Sequence, residues 1–119
     1  MAKIIVSVTH AGENPDKATL GFVVANAGVA SAQETVVFLS SEGAYLSNEG
    51  YADDIHEEGF KPLKELLDTF TGNGGTVWVC APCFAKRKLS EEKLIANATL
   101  VGGAKVVEAL SQGASCISY

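Results

Sequence analysis

A repeated change of period runs through the sequence. Short apolar, β-branched runs, Lys3 to Thr9, Glu34 to Ser40 and Thr76 to Val79, alternate with stretches that have helical spacing or helix-start residues. Runs apolar at almost every position suit a sheet buried on both faces, and strands separated by helices read as parallel crossover units. Asn97 to Val101 and Ser115 to Tyr119 supply a fourth and a fifth strand. The expectation is a single-domain α/β fold, a three-layer α/β/α arrangement around a mainly parallel five-stranded sheet. At 119 residues the chain has length for one domain with a real core and not for two.

The helices are marked by their ends. Asn14 is a candidate N-cap, Pro15 a first-turn residue and Asp16 an acid at the positive end of the dipole, opening a helix over Pro15 to Ala32. That helix carries almost no charge after Lys17, which predicts two buried sides, one on the sheet and one on another subunit. Pro62 opens a second helix, in which Leu63, Leu66, Leu67 and Phe70 fall at i, i+3, i+4 and i+7, and Gly72 to Gly75 end it. Ser90 before Glu91 and Glu92 resembles another helix start. Gly103 to Ser111 reads as the last helix, with Ala104, Val107 and Leu110 facing inward and Gly113 as its C-cap. Tyr45 to Gly59, with the acidic run Asp53 to Glu58, reads as a surface loop or short helix, the acids forming a solvated face.

Composition removes several classes of function. A net charge of −5 argues against a nucleic-acid footprint, and no apolar run approaches the ~20 residues of a membrane helix. The N-terminus lacks the long apolar segment and small-residue cleavage site of a signal peptide. Three Cys without such a signal favour reduced thiols in a cytosolic setting. Gly72 to Gly75 precedes a strand, whereas a phosphate loop follows one, and no cofactor signature is visible.

The chemistry concentrates in Thr76-Val-Trp-Val-Cys80-Ala-Pro-Cys83-Phe-Ala-Lys-Arg-Lys88, where a strand runs into two thiols and three cations. Pro82 suits a helix start, so Cys80 falls between a strand's carboxyl end and a helix, where ligands bind in open α/β sheets. A Cys-x-x-Cys pair serves as a redox couple, half a zinc site, a sulfur carrier or two core residues. Zinc needs a further pair of ligands; Cys116, His10 and His56 are isolated, leaving only an adventitious site from His10, Cys80 and Cys83, and no metal is expected. A thioredoxin-like reading needs a cis-proline facing the thiols, and Pro15 and Pro62 both look like helix starts. A helix N-terminus, the cations Lys86, Arg87 and Lys88, and His10 are the features that would lower a thiol pKa. Thr9, Ser41 and Glu42, at the ends of the first two strands, with Lys86 and Arg87, are the expected substrate-binding residues. Cys116, inside an apolar terminal strand, reads as core.

These segments together resemble the DsrE/DsrF-like family, with its YchN-like proteins and sulfur-relay subunits. The likeness runs from Ile4-Ile-Val-Ser-Val8 through Val37 to Leu46, Pro62 to Leu67 and Val77 to Cys83 to Ile117-Ser-Tyr119. It implies a parallel-sheet α/β/α fold, a trimeric or hexameric homo-oligomer, and a Cys at the end of the third strand, here Cys80, that accepts persulfide sulfur. Two positions depart from the pattern: many relatives have Gly where this chain has Lys88, and Cys83 is not shared by the best-understood sulfur carriers. The expectation is a small cytosolic sulfur-handling protein with sulfur donor and acceptor partners. Cys80 attacks the outer sulfur of a donor persulfide, Lys86 or Arg87 stabilises the anion, His10 shuttles the proton, and Cys83 resolves the adduct. The alternatives are an oligomeric ligand-binding or partner-binding module without catalysis and a Cys80/Cys83 dithiol oxidoreductase.

Overall fold

A computed structural model describes residues 3–119. Five strands, β1 (Ile4–Val8), β2 (Thr35–Leu39), β3 (Thr76–Cys80), β4 (Ala98–Val101) and β5 (Ser115–Ser118), form one sheet in the order β4-β3-β2-β1-β5. Every strand pair is parallel. The helices are α1 (Pro15–Ala30), α2 (Leu63–Gly72), α3 (Ala81–Lys86) and α4 (Gly103–Ser111), with 3₁₀ turns at Ser41–Ser47, Tyr51–Asp54 and Glu91–Lys93.

The strand order explains the layers. From β1 to β4 the chain steps in one direction, and right-handed crossovers put the connecting helices α1 and α2 on one face. The step from β4 to β5 runs back across the whole sheet, so the same handedness sends α4 to the other face. One core accordingly joins Val6, Val8, Val37, Leu39, Val77 and Val79 to Phe22 of α1 and Leu63, Leu67 and Phe70 of α2. A smaller core joins Ile5, Val36, Trp78 and Val101 to Ala109 of α4.

Local chemistry sets the ends. Asn14 caps α1, its Oδ1 accepting the Lys17 N–H at 3.2 Å, and Pro15 is the first helical residue. The helix stops before Ala32, whose φ of 61° is left-handed. Its second buried side lies against α2, to which Asn26 is tied by donating to the Leu66 carbonyl at 2.9 Å. Contact with α2 therefore covers a second side of α1 within the chain, while Ala27 and Ala30 stay exposed.

Two expectations about the last elements are corrected. Ala104, Val107 and Leu110 face outward, Val107 being 64% exposed, while Val106 and Ala109 face the sheet. Cys116 is exposed and not core. Its strand β5 lies at the edge of the sheet, where α4 covers Ile5, Val36 and Trp78 instead. Edge strands that emerge from the cover of their helices keep an apolar sequence without a buried environment.

Candidate functional site

All five strands point the same way, so the residues after β1, β2 and β3 emerge on one edge of the sheet. Cys80 is the last residue of β3 and Cys83 lies in the first turn of α3, with Pro82 the second helical residue. Both cysteines are free and half-buried, at the lip of the sheet.

The segment after β2 completes the site. Ser41 has a left-handed φ of 52°, and its N–H donates to Cys83 Sγ at 3.2 Å. Gly43 holds that turn in place: it lies against the Val8 carbonyl so closely that a Cβ would overlap the oxygen. Arg87, one helical turn beyond Cys83, donates from Nη1 to the Cys83 carbonyl at 3.2 Å. Its guanidinium is 3.7 Å from Glu42 Oε1 and 5.7 Å from the centroid of the Tyr45 ring, which itself stacks on Tyr51 at 5.0 Å. With 11% of its side chain exposed, this cation is fixed from three sides beside the thiols.

The electrostatics separate the two sulfurs. Burial raises the Cys80 pKa, and the hydrogen bond between its thiol and Cys83 raises it further, with the Cys83 amide and Arg87 working the other way. Burial also opposes ionisation of Cys83, but the Cys80 thiol, the Ser41 amide, Arg87 and Lys86 outweigh it and lower its pKa below the ordinary 9.0. The favoured anion is therefore on Cys83, with Cys80 as a hydrogen-bond donor to it.

The other residues singled out in the sequence are distributed along the same edge. Thr9 is engaged by the residue that follows β5: its N–H and its hydroxyl both donate to the Tyr119 carbonyl, at 2.9 and 3.0 Å. His10 bonds Glu13 through Nδ1 at 2.8 Å. Glu13 is desolvated slightly, yet His10 and the Ala11 amide hold its carboxyl below the ordinary value. Because β2 separates β1 from β3, the strand ends bearing His10 and Cys80 are about 10 Å apart, two strand spacings. Ser41 and Arg87 thus meet at Cys83, with Glu42 held on Arg87 and Lys86 acting from α3, and Thr9 and His10 lie on the β1/β5 side. Among the described residues, no three His, Cys, Asp or Glu side chains converge as metal ligands. A cavity of about 440 Å³ lies elsewhere, between α2 and the turns, lined by Leu46, Asp53, Lys64, Leu67 and Ile95 among others.

Sequence reasoning missed Tyr45 and Gly43. Neither carries a local signal; their roles depend on a turn brought against β1 and α3 by the sheet. Lys88 is the opposite case, since its φ of 53° explains why glycine suits that position. Lys88→Gly is expected to raise stability by about 0.5–1 kcal/mol, relief of left-handed strain exceeding the added chain entropy. A higher urea midpoint with unchanged slope is the measurement that checks it.

Comparison with known proteins bears on the whole chain. The model of the DsrE/DsrF-like family matches residues 2–119. No curated protein matches the sequence. Among solved structures, the ychN protein from E. coli superposes with a TM-score of 0.82 at 18% identity, covering 100% of both chains. A protein of unknown function from Methanobacterium thermoautotrophicum gives a TM-score of 0.68 at 12% identity over 100% of both. A conserved protein of unknown function from Bacteroides thetaiotaomicron gives 0.68 at 12%, covering 98% of this chain and 95% of its own. At these identities the structures establish the fold alone.

Proposed function

The chain belongs to the DsrE/DsrF-like family, and from that premise we propose that it handles sulfane sulfur, taking it from a donor persulfide onto the Cys80/Cys83 pair and passing it on. The observation that carries this reading is the pairing itself: two free, half-exposed thiols at a strand end, one of them accepting the Ser41 N–H at 3.2 Å. A thiolate is the nucleophile in sulfur transfer, and a lowered thiol pKa raises the fraction present at a given pH. Cys80 is the residue at the end of the third strand that the family resemblance picks out as acceptor. The contact between the two thiols also supports a second reading, a dithiol oxidoreductase that cycles through a Cys80–Cys83 disulfide.

Donor and acceptor are a persulfide and a thiol, on partner proteins or small molecules, in the cytoplasm. No helix of the described residues is long and apolar enough to cross a membrane. A homo-oligomer, trimer or hexamer, is part of the proposal; the outward Val107 and Leu110 and the edge strand β5 supply apolar surface for it.

The test is an intact mass after treatment with a persulfide donor. Gain of one sulfur atom, or loss of two hydrogens with sulfide release, is expected at the Cys80/Cys83 pair of the wild type, and neither for Cys80→Ser/Cys83→Ser in a Cys116→Ser background, which removes the third, exposed thiol. An unchanged wild-type mass would leave a binding module without thiol chemistry.

A further inference from the structure

Resting on that reading, we propose that the sulfur enters at Cys83, with Cys83 the attacking thiolate and Cys80 the thiol that resolves the adduct. This reverses the order that the position of Cys80 at the strand end suggests.

The two sulfurs are not equivalently placed: the Cys83 amide and Arg87 act on Cys80 as well, but it is Cys83 that has the turn after β2 against it. The turn after β2 aims its Ser41 amide at Cys83 Sγ, and its left-handed backbone and the docking of Gly43 on Val8 keep it aimed there. Arg87 shares the helical face of Cys83, bonds its carbonyl, and is locked by Glu42 and Tyr45. The groups that act on the Cys83 sulfur are the Cys80 thiol from β3, the Ser41 amide from the turn, and Arg87 and Lys86 from α3, while Glu42 of the turn engages Arg87. Two cations, an amide and a thiol favour the anion, and the single carboxylate is spent on Arg87. The fall in the Cys83 pKa and the rise in that of Cys80 agree with this arrangement.

The steps balance. The Cys83 thiolate attacks the outer sulfur of a hydropersulfide R–S–SH; a Cys83–sulfur bond forms, the bond to R–S breaks, and R–S⁻ leaves to take up a proton. No net oxidation occurs. Cys80 then loses its proton and attacks the Cys83 sulfur of Cys83–S–SH. The Cys80–Cys83 bond forms, HS⁻ leaves, the two thiols are oxidised and the sulfane sulfur is reduced to sulfide. A dithiol reductant returns the pair to its starting state.

Inorganic polysulfide, as donor to the reduced full-length chain and to Cys80→Ser and Cys83→Ser, separates the outcomes. Cys80→Ser is expected to accumulate one extra sulfur, located on Cys83 by peptide mass. Cys83→Ser is expected to take up sulfur on the order of tenfold more slowly at neutral pH. Sulfur uptake by Cys83→Ser at the wild-type rate, with adduct on Cys80 and none on Cys83 in the other variant, overturns the order while leaving the sulfur-handling reading intact. No uptake by any of the three overturns both. Alkylation of the unmutated chain by iodoacetamide across pH gives a check that needs no variant. Cys83 should reach half-maximal reactivity at a lower pH than Cys80, and the opposite ranking refutes the assignment.

Discussion

Gly43→Ala is expected to destabilise the protein by about 3 kcal/mol and to raise the pKa of a thiol that it does not touch. An added Cβ would overlap the Val8 carbonyl oxygen, with the Val8 carbonyl carbon 2.9 Å away. Both are backbone of a central strand, so no rotamer change relieves the overlap and the turn must lift from β1. The Ser41 N–H then loses its aim at Cys83 Sγ, and the thiol drifts back toward its ordinary 9.0. With a higher pKa, less thiolate is present at neutral pH, and alkylation of Cys83 falls there but converges with the wild type at high pH. Gly72→Ala is the control, since nothing lies within 4 Å of a Cβ at that position. A urea midpoint for Gly43→Ala equal to that of the control, or an unshifted Cys83 alkylation profile, would show that the turn does not position the amide.

Phe70→Ala should cost more still, about 3–5 kcal/mol, a large share of the stability of a domain of this size. Phe70 is fully buried, meets Phe22 of α1 edge-on at 6.0 Å and 80°, and fills the space left by the missing side chain of Gly75. Truncation removes the apolar area, leaves a cavity between α1, α2 and the start of β3, and forfeits the aromatic pair, worth about 0.5–1.5 kcal/mol beyond its area. Phe70→Leu is expected to recover most of the loss. Urea unfolding checks both: a large drop in midpoint at constant slope for alanine, a small one for leucine. An alanine cost below about 1 kcal/mol would mean that the two helices do not depend on this contact.

The legible parts of the fold were those governed by short-range rules. The runs Ile4–Val8, Thr35–Leu39 and Thr76–Cys80 are apolar on both faces because all three strands are central, and parallel order followed from the helices between them. Asn14, Pro15 and the spacing from Leu63 to Phe70 marked helices that formed where expected. The misread parts were those in which an apolar residue had two places to go. In the nine-residue helix α4, Val106 and Ala109 make one apolar side and Ala104, Val107 and Leu110 the other, and spacing does not tell which meets the sheet. Cys116 depended in the same way on β5 being an edge.

What the sequence determined alone was the alternation of strand and helix, the position of Cys80 at a strand end, and the companionship of Cys83 and Arg87, which sit one helical turn apart. Tertiary structure decided which sulfur receives the Ser41 amide. Ser41 and Cys83 are 42 residues apart, and they meet because parallel strands put every β-to-α junction on one edge and because Gly43 lets the turn close onto Val8. A hydrogen bond of 3.2 Å depends on distance in space, which local patterning of residues does not encode.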